Sequence, residues 1–134
     1  MEKIIFWQDK EKGKVDPALF SNTAEQLAKE LADDCRASNK KENKRSQIRK
    51  FYDEVVRLDM EARSKPQEWD NILPLVHMLT AKAAYAKGRK LVSDNFLNFI
   101  RSSIEQISGK KDLELFANFF EAFIGFYRMH CPAN

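Results

Sequence analysis

Between residues 113 and 127 the chain reads Leu-Glu-Leu-Phe-Ala-Asn-Phe-Phe-Glu-Ala-Phe-Ile-Gly-Phe-Tyr. On a helical wheel Leu113, Leu115, Phe116, Phe119, Phe120, Phe123, Ile124, Phe126 and Tyr127 spread over roughly 200°, leaving a narrow polar strip of Asn118, Glu121, Gly125 and Arg128. A helix this apolar is stable only when covered on most sides. It is either the central helix of one bundle or a helix that turns part of its aromatic surface to another subunit.

The rest of the sequence supplies helices to cover it. Apolar residues recur at spacings of three and four, no segment alternates with period two, and only four of 134 residues are Gly. The expected fold is all-α, a single compact bundle of about five helices forming one domain over residues 1–134. Residues 1–16 read as an extended or mobile arm. Ser21 or Asn22 is positioned to cap a first helix reaching Arg36, and residues 37–45 form a polar, basic linker. A second helix is expected over Ser46 to Ser64, with Ile48, Phe51, Tyr52, Val55, Leu58 and Ala62 in one arc. Pro66 suits the first turn of a third helix, Pro74 predicts a break near residues 70–74, and Gly88 is the expected C-terminal cap. Ser93 is expected to cap a fourth helix ending at Gly109. Asp112 is expected to cap a fifth, from Leu113 to His130, stopped by Pro132.

Several classes of function are excluded on chemical grounds. No run approaches the roughly 20 apolar residues of a membrane span, and the apolar start, Ile4-Ile5-Phe6-Trp7, is too short for a secretory signal, so a cytoplasmic protein is expected. Cys35 and Cys131 belong to no Cys-x-x-Cys or Cys/His spacing, so neither a disulfide framework nor a zinc site is expected and they read as reduced thiols. No phosphate-binding Gly-rich loop, His-Glu-x-x-His or Gly-x-Ser-x-Gly occurs. A di-iron bundle site would need Glu-x-x-His, whereas Pro74 precedes His77 and Tyr127 precedes His130 by three residues. His77 reads as a polar-side residue and His130 as a helix-end residue suited to the dipole. The expectation is no enzyme, no metal and no cofactor.

The net charge of +3 hides an uneven distribution: residues 1–35 carry net −3, residues 36–65 net +5 and residues 66–134 net +1. In the third helix Lys82 and Arg89 fall inside the arc spanned by Leu75, Leu79, Ala86, Met78 and Tyr85. Long cationic stems can snorkel from such a position. The same combination of cations and a tyrosine also suits a groove in which cations hold phosphates and a ring stacks on a base of single-stranded nucleic acid. Arg45 and Arg49 add charge on the shoulder of the second helix, flanked by Gln47 and Lys50, although Arg49 can equally pair with Asp53 at i+4.

Three segments at these positions resemble one known family: Gln47-Ile48-Arg49-Lys50-Phe51-Tyr52 opening a helix; Leu73-Pro74-Leu75 leading to Lys82-Ala83-Ala84-Tyr85-Ala86 and Arg89; and Phe119-Phe120-Glu121-Ala122-Phe123-Ile124-Gly125-Phe126-Tyr127. Together, over residues 44–130, they resemble the small subunit of the Csm effector complex of type III-A CRISPR systems. The resemblance implies a non-catalytic five-helix subunit, present in more than one copy, that helps bind the target RNA strand. Its implied neighbours are the guide-RNA-bound backbone subunits and the large subunit, which carry the cleavage chemistry, and self-association is a further possibility. It also implies the RNA-binding candidates Gln47, Arg49, Lys50, Lys82, Tyr85 and Arg89; Arg45 and Arg101 join them on charge alone. The competing reading is a helical interaction module that self-associates through its aromatic face and binds no nucleic acid.

Overall fold

In the computed structural model, which describes residues 3–131, the chain forms α1 (Ala24–Ala37), α2 (Arg45–Ser64), α3 (Trp69–Gly88), α4 (Asp94–Ile104) and α5 (Lys110–His130). No strand occurs among the described residues, and the fold is all-α as the periodicity requires. The aromatic segment is the central helix. α5 packs against α1 and α2, while α3 packs against α4 and α2. Phe116, Phe119, Phe120 and Phe123 are fully buried, so these rings are enclosed within the chain and do not face a partner. Phe99 of α4 reaches all four of them at centroid separations of 5.6 to 6.0 Å. Each buried ring contributes roughly 2–3 kcal/mol through the area it removes from water, and tilted ring pairs add about 0.5–1.5 kcal/mol.

Helix boundaries depart from expectation where local geometry supplies a different start or stop. The Asp16 carboxylate accepts the Ala18 N–H at 2.9 Å and its carbonyl accepts the Leu19 N–H at 2.9 Å. A π-helical turn, Leu19–Thr23, then runs directly into α1. Ser21 and Asn22 lie inside this turn and make no side-chain cap, because Leu19, buried in the core, is already wound into it. The break expected at Pro74 is absent: α3 is continuous through it. Pro74 and Asp70 are both exposed, so water can serve the Asp70 carbonyl that loses its donor. α3 does end at Gly88, yet the left-handed residue of its C-terminal turn is Lys90, at φ 61°. There the Leu91 N–H bonds the Ala86 carbonyl and the Lys90 N–H bonds that of Lys87, both at 2.9 Å. Ser93 caps α4 as expected, accepting the Phe96 N–H at 3.3 Å. α5 begins three residues before Leu113, and Asp112 caps it from within the first turn. Pro132, the expected stop of α5, lies outside the described residues.

The N-terminal arm is extended but pinned. Phe6 is buried against Phe116 and Phe119. Gln106 accepts the Phe6 N–H at 3.1 Å and donates to the Ile4 carbonyl at 2.7 Å. Asp112 takes the Trp7 indole N–H at 2.8 Å, the Lys10 ammonium at 3.1 Å, and the Ser108 and Gly109 N–H groups at 2.9 Å each. Burial pushes the Asp112 carboxyl up, but these two backbone donors, with Trp7 and Lys10, outweigh it and hold the group at about 2 against an ordinary 3.8. A depressed folded-state value means that the contribution, about 2 kcal/mol, is complete above pH 4 and is lost as pH falls from 4 to 2. Urea denaturation of Asp112→Asn is therefore expected to show a stability deficit at pH 6 that closes toward pH 2.

Residues 37–45 are more than a linker. Asn43, at φ 59°, is completely buried. Its N–H bonds the Leu91 carbonyl at 3.0 Å, and its carbonyl accepts the Tyr127 hydroxyl at 2.6 Å. Its side-chain amide donates to the Leu31 carbonyl at 3.2 Å and to the Ser93 hydroxyl at 2.8 Å, and accepts the Ser93 N–H at 2.9 Å. One asparagine thus ties α1, the α3–α4 turn and α5 to the start of α2.

Candidate nucleic-acid interface

α2 and α3 lie side by side and leave a groove of about 550 Å³ between them. Gln47, Lys50 and Glu54 follow one another on α2 at spacings of three and four, and so share a face. Lys82, Tyr85 and Arg89 do the same on α3. Both rows line the groove, over a floor of Phe51, Leu79, Ala86 and Leu91. Small Ala86 and buried Leu79 keep the floor low, so the longer polar side chains form the walls.

The buried stripe of α3 is Ile72, Val76, Leu79, Ala83 and Ala86. Leu75, Met78 and Tyr85, expected beside Leu79 in one apolar arc, are instead exposed. Lys82 and Arg89 therefore do not interrupt a buried face. They stand on its border with water, along the groove between α2 and α3. Tyr85 is 67% exposed, and the Arg89 guanidinium sits over its ring at 5.7 Å. Such a contact at an exposed site is worth about 0.5–1 kcal/mol and steadies the ring in solvent.

Glu54 modifies the groove's charge. Its carboxylate accepts from Arg57 at 2.7 Å and lies 3.6 Å from the Lys82 ammonium. The Arg57 hydrogen bond, with the Lys82 charge behind it, holds the carboxyl below its ordinary range despite partial burial. Lys50, Lys82 and Arg89 against Glu54 leave the groove net positive. Glu54 was not among the sequence candidates, although its position four residues after Lys50 marks it as a neighbour on the same face.

The sequence candidates thus separate. Gln47, Lys50, Lys82, Tyr85 and Arg89 share the α2–α3 groove. Arg45 and Arg49 lie around the other side of α2, lining a shallow hollow of about 270 Å³ with Ser46, Ile124, Tyr127 and Arg128. There Arg49 pairs with Asp53 at 3.2 Å and stacks over Tyr52 at 5.4 Å. Arg101 is exposed in the last turn of α4 and lines neither place. His77 is exposed on α3, and His130 meets Glu25 at 2.8 Å. Among the described residues no group of three or more His, Cys, Asp or Glu side chains is placed to hold a metal, and no helix is long and apolar enough to cross a membrane.

Fold and groove together define a small all-helical protein with a cationic surface groove that presents an exposed aromatic ring. A family model described as Csm2 Type III-A matches residues 15–133. The chain belongs to that family and is a small subunit of the Csm complex of type III-A CRISPR systems. The match extends beyond the three segments over 44–130 to include α1. No curated protein and no solved structure matches the chain.

Proposed function

We propose that the chain is a non-catalytic subunit of this effector complex, working in the cytoplasm in antiviral defence, and that it holds target single-stranded RNA in the α2–α3 groove. The reading rests on one observation: residues from two separate sequence segments, Gln47 and Lys50 on one and Lys82, Tyr85 and Arg89 on the other, meet in a single groove. Lys50, Lys82 and Arg89 contact phosphates, a base stacks on Tyr85, and Gln47 hydrogen-bonds to the sugar-phosphate backbone. None of these contacts selects sequence, which suits a complex whose guide supplies selection by pairing. Contacts to the guide-RNA-bound backbone subunits and the large subunit position this groove along the strand, so the subunit contributes to assembly as well.

A chain of net charge +3 with one carboxylate in the groove binds weakly by itself, and affinity accumulates when copies line up. Fluorescence anisotropy with a labelled single-stranded RNA is expected to show weak binding by the isolated protein that declines as salt rises. Glu54→Gln removes the groove's negative charge, releases Lys82 and is expected to tighten that binding several-fold. Binding that ignores salt, or a Glu54→Gln variant no tighter than the parent, contradicts the groove assignment. The competing interaction-module reading has a smaller surface than the whole aromatic helix, since Phe116, Phe119, Phe120, Phe123 and Tyr127 are enclosed within the chain. Only Phe126 and Ile124 of the α5 set are partly exposed, with Phe20 and Met129 beside Phe126.

A further inference from the structure

We propose that Cys35 and Cys131 are a site of oxidative modification, at which a small disulfide such as glutathione disulfide joins them into an intramolecular disulfide that clasps α1 to the end of α5. The two residues are 96 positions apart in sequence, yet their Sγ atoms are 3.9 Å from one another. Both are buried, at 0% and 3% exposure, so the pair is shielded from other protein thiols and its natural reaction partner is its neighbour.

The two positions differ in freedom. Cys35 is fixed in the last turns of α1. Cys131 is the first residue past α5, in extended conformation, held by the bond from its N–H to the Tyr127 carbonyl at 2.8 Å. A disulfide needs the sulfurs about 2.05 Å apart. The remaining approach falls on a residue outside the helix, which can turn its side chain toward Cys35 without unwinding α5; a turn the other way, away from Cys35, presents its sulfur to a small reagent.

The chemistry balances in two exchanges. The Cys131 thiolate attacks one sulfur of glutathione disulfide, forming a mixed disulfide and expelling one glutathione thiolate. The Cys35 thiolate then attacks Sγ of Cys131 and expels the second. The protein loses two electrons and two protons, and glutathione disulfide takes them up as two thiols. The product closes a loop spanning most of the chain, so it restricts the unfolded state strongly and leaves the groove on the far side of α2 as it was.

The test is incubation of the folded full chain with excess glutathione disulfide at neutral pH, followed by intact mass, non-reducing peptide mapping and thermal unfolding. The expected product has lost two hydrogens, yields a single Cys35–Cys131 linked peptide and melts higher by on the order of 10 °C. Reduction reverses both changes, while Cys131→Ser neither loses the two hydrogens nor gains the thermal shift. Retention of both hydrogens by the folded protein, stable glutathione adducts without closure, or linkage between chains would each overturn the proposal.

Discussion

Replacing Asn43 with alanine is expected to lower the unfolding free energy by about 3–5 kcal/mol, read by urea denaturation, which is a large share of the stability of a domain this size. The substitution removes three side-chain hydrogen bonds. It leaves the buried Ser93 N–H without its acceptor, at a cost of about 1–3 kcal/mol, and strips a second hydrogen bond from the Leu31 carbonyl, which lies inside α1 and keeps its intrahelical donor. Alanine also tolerates the left-handed backbone at φ 59° less well than asparagine does. Asn43→Gly separates the two causes, because glycine relieves the backbone cost and keeps the hydrogen-bond loss. Asn43→Asp is expected to be at least as damaging as alanine: it retains an acceptor for Ser93 N–H but loses both donors and buries a charge. The Tyr127 hydroxyl, which burial keeps protonated as a donor to the Asn43 carbonyl, is a further tie at the same point.

The second large effect is on RNA. A complex assembled with the Lys50→Ala, Lys82→Ala and Arg89→Ala triple variant is expected to bind target RNA at least on the order of 100-fold more weakly than the parent, since three cations at about 1 kcal/mol each supply that much in one copy and further copies add to it. All three side chains are solvent-exposed, and none carries a core contact on which the fold depends, so thermal unfolding should barely move. Tyr85→Ala acts differently. It removes a stacking surface worth about 1–3 kcal/mol per base and leaves the salt dependence unchanged. Changes at Arg49 should weigh less than the groove cations, since that guanidinium is already engaged by Asp53 and Tyr52.

The helical class and the central place of α5 were legible because they follow from periodicity and from how much of one helix is apolar. Much of the groove was legible for the same reason: Lys82, Tyr85 and Arg89 share a face by spacing alone. The split between Lys50 and Arg49 was harder to read, because adjacent residues on a helix point about 100° apart and only the packing of α2 against both α3 and α5 decides which one meets which neighbour. Asn43 was invisible for another reason. It stands in a run of Lys, Glu and Asn that reads as solvated, and its burial arises only when α1, the α3–α4 turn and α5 close around it. The arm's anchoring likewise depended on pairs about 100 residues apart, Phe6 with Phe116 and Trp7 with Asp112, which no local pattern joins. Pro74 misled because the break it predicts applies to a buried helix interior, and here the affected turn faces water.

The central claim is that the α2–α3 groove is where RNA lies. Its most direct test is target-RNA affinity of the assembled complex, measured over a series of salt concentrations for the parent subunit and for the triple variant at Lys50, Lys82 and Arg89. The groove account predicts weaker binding together with a salt dependence shallower by about 2 in the log–log slope for each copy on the strand, as three lost phosphate contacts per copy on a single strand require. Equal affinity and an unchanged slope, in a complex that still contains its full complement of this subunit, would contradict it.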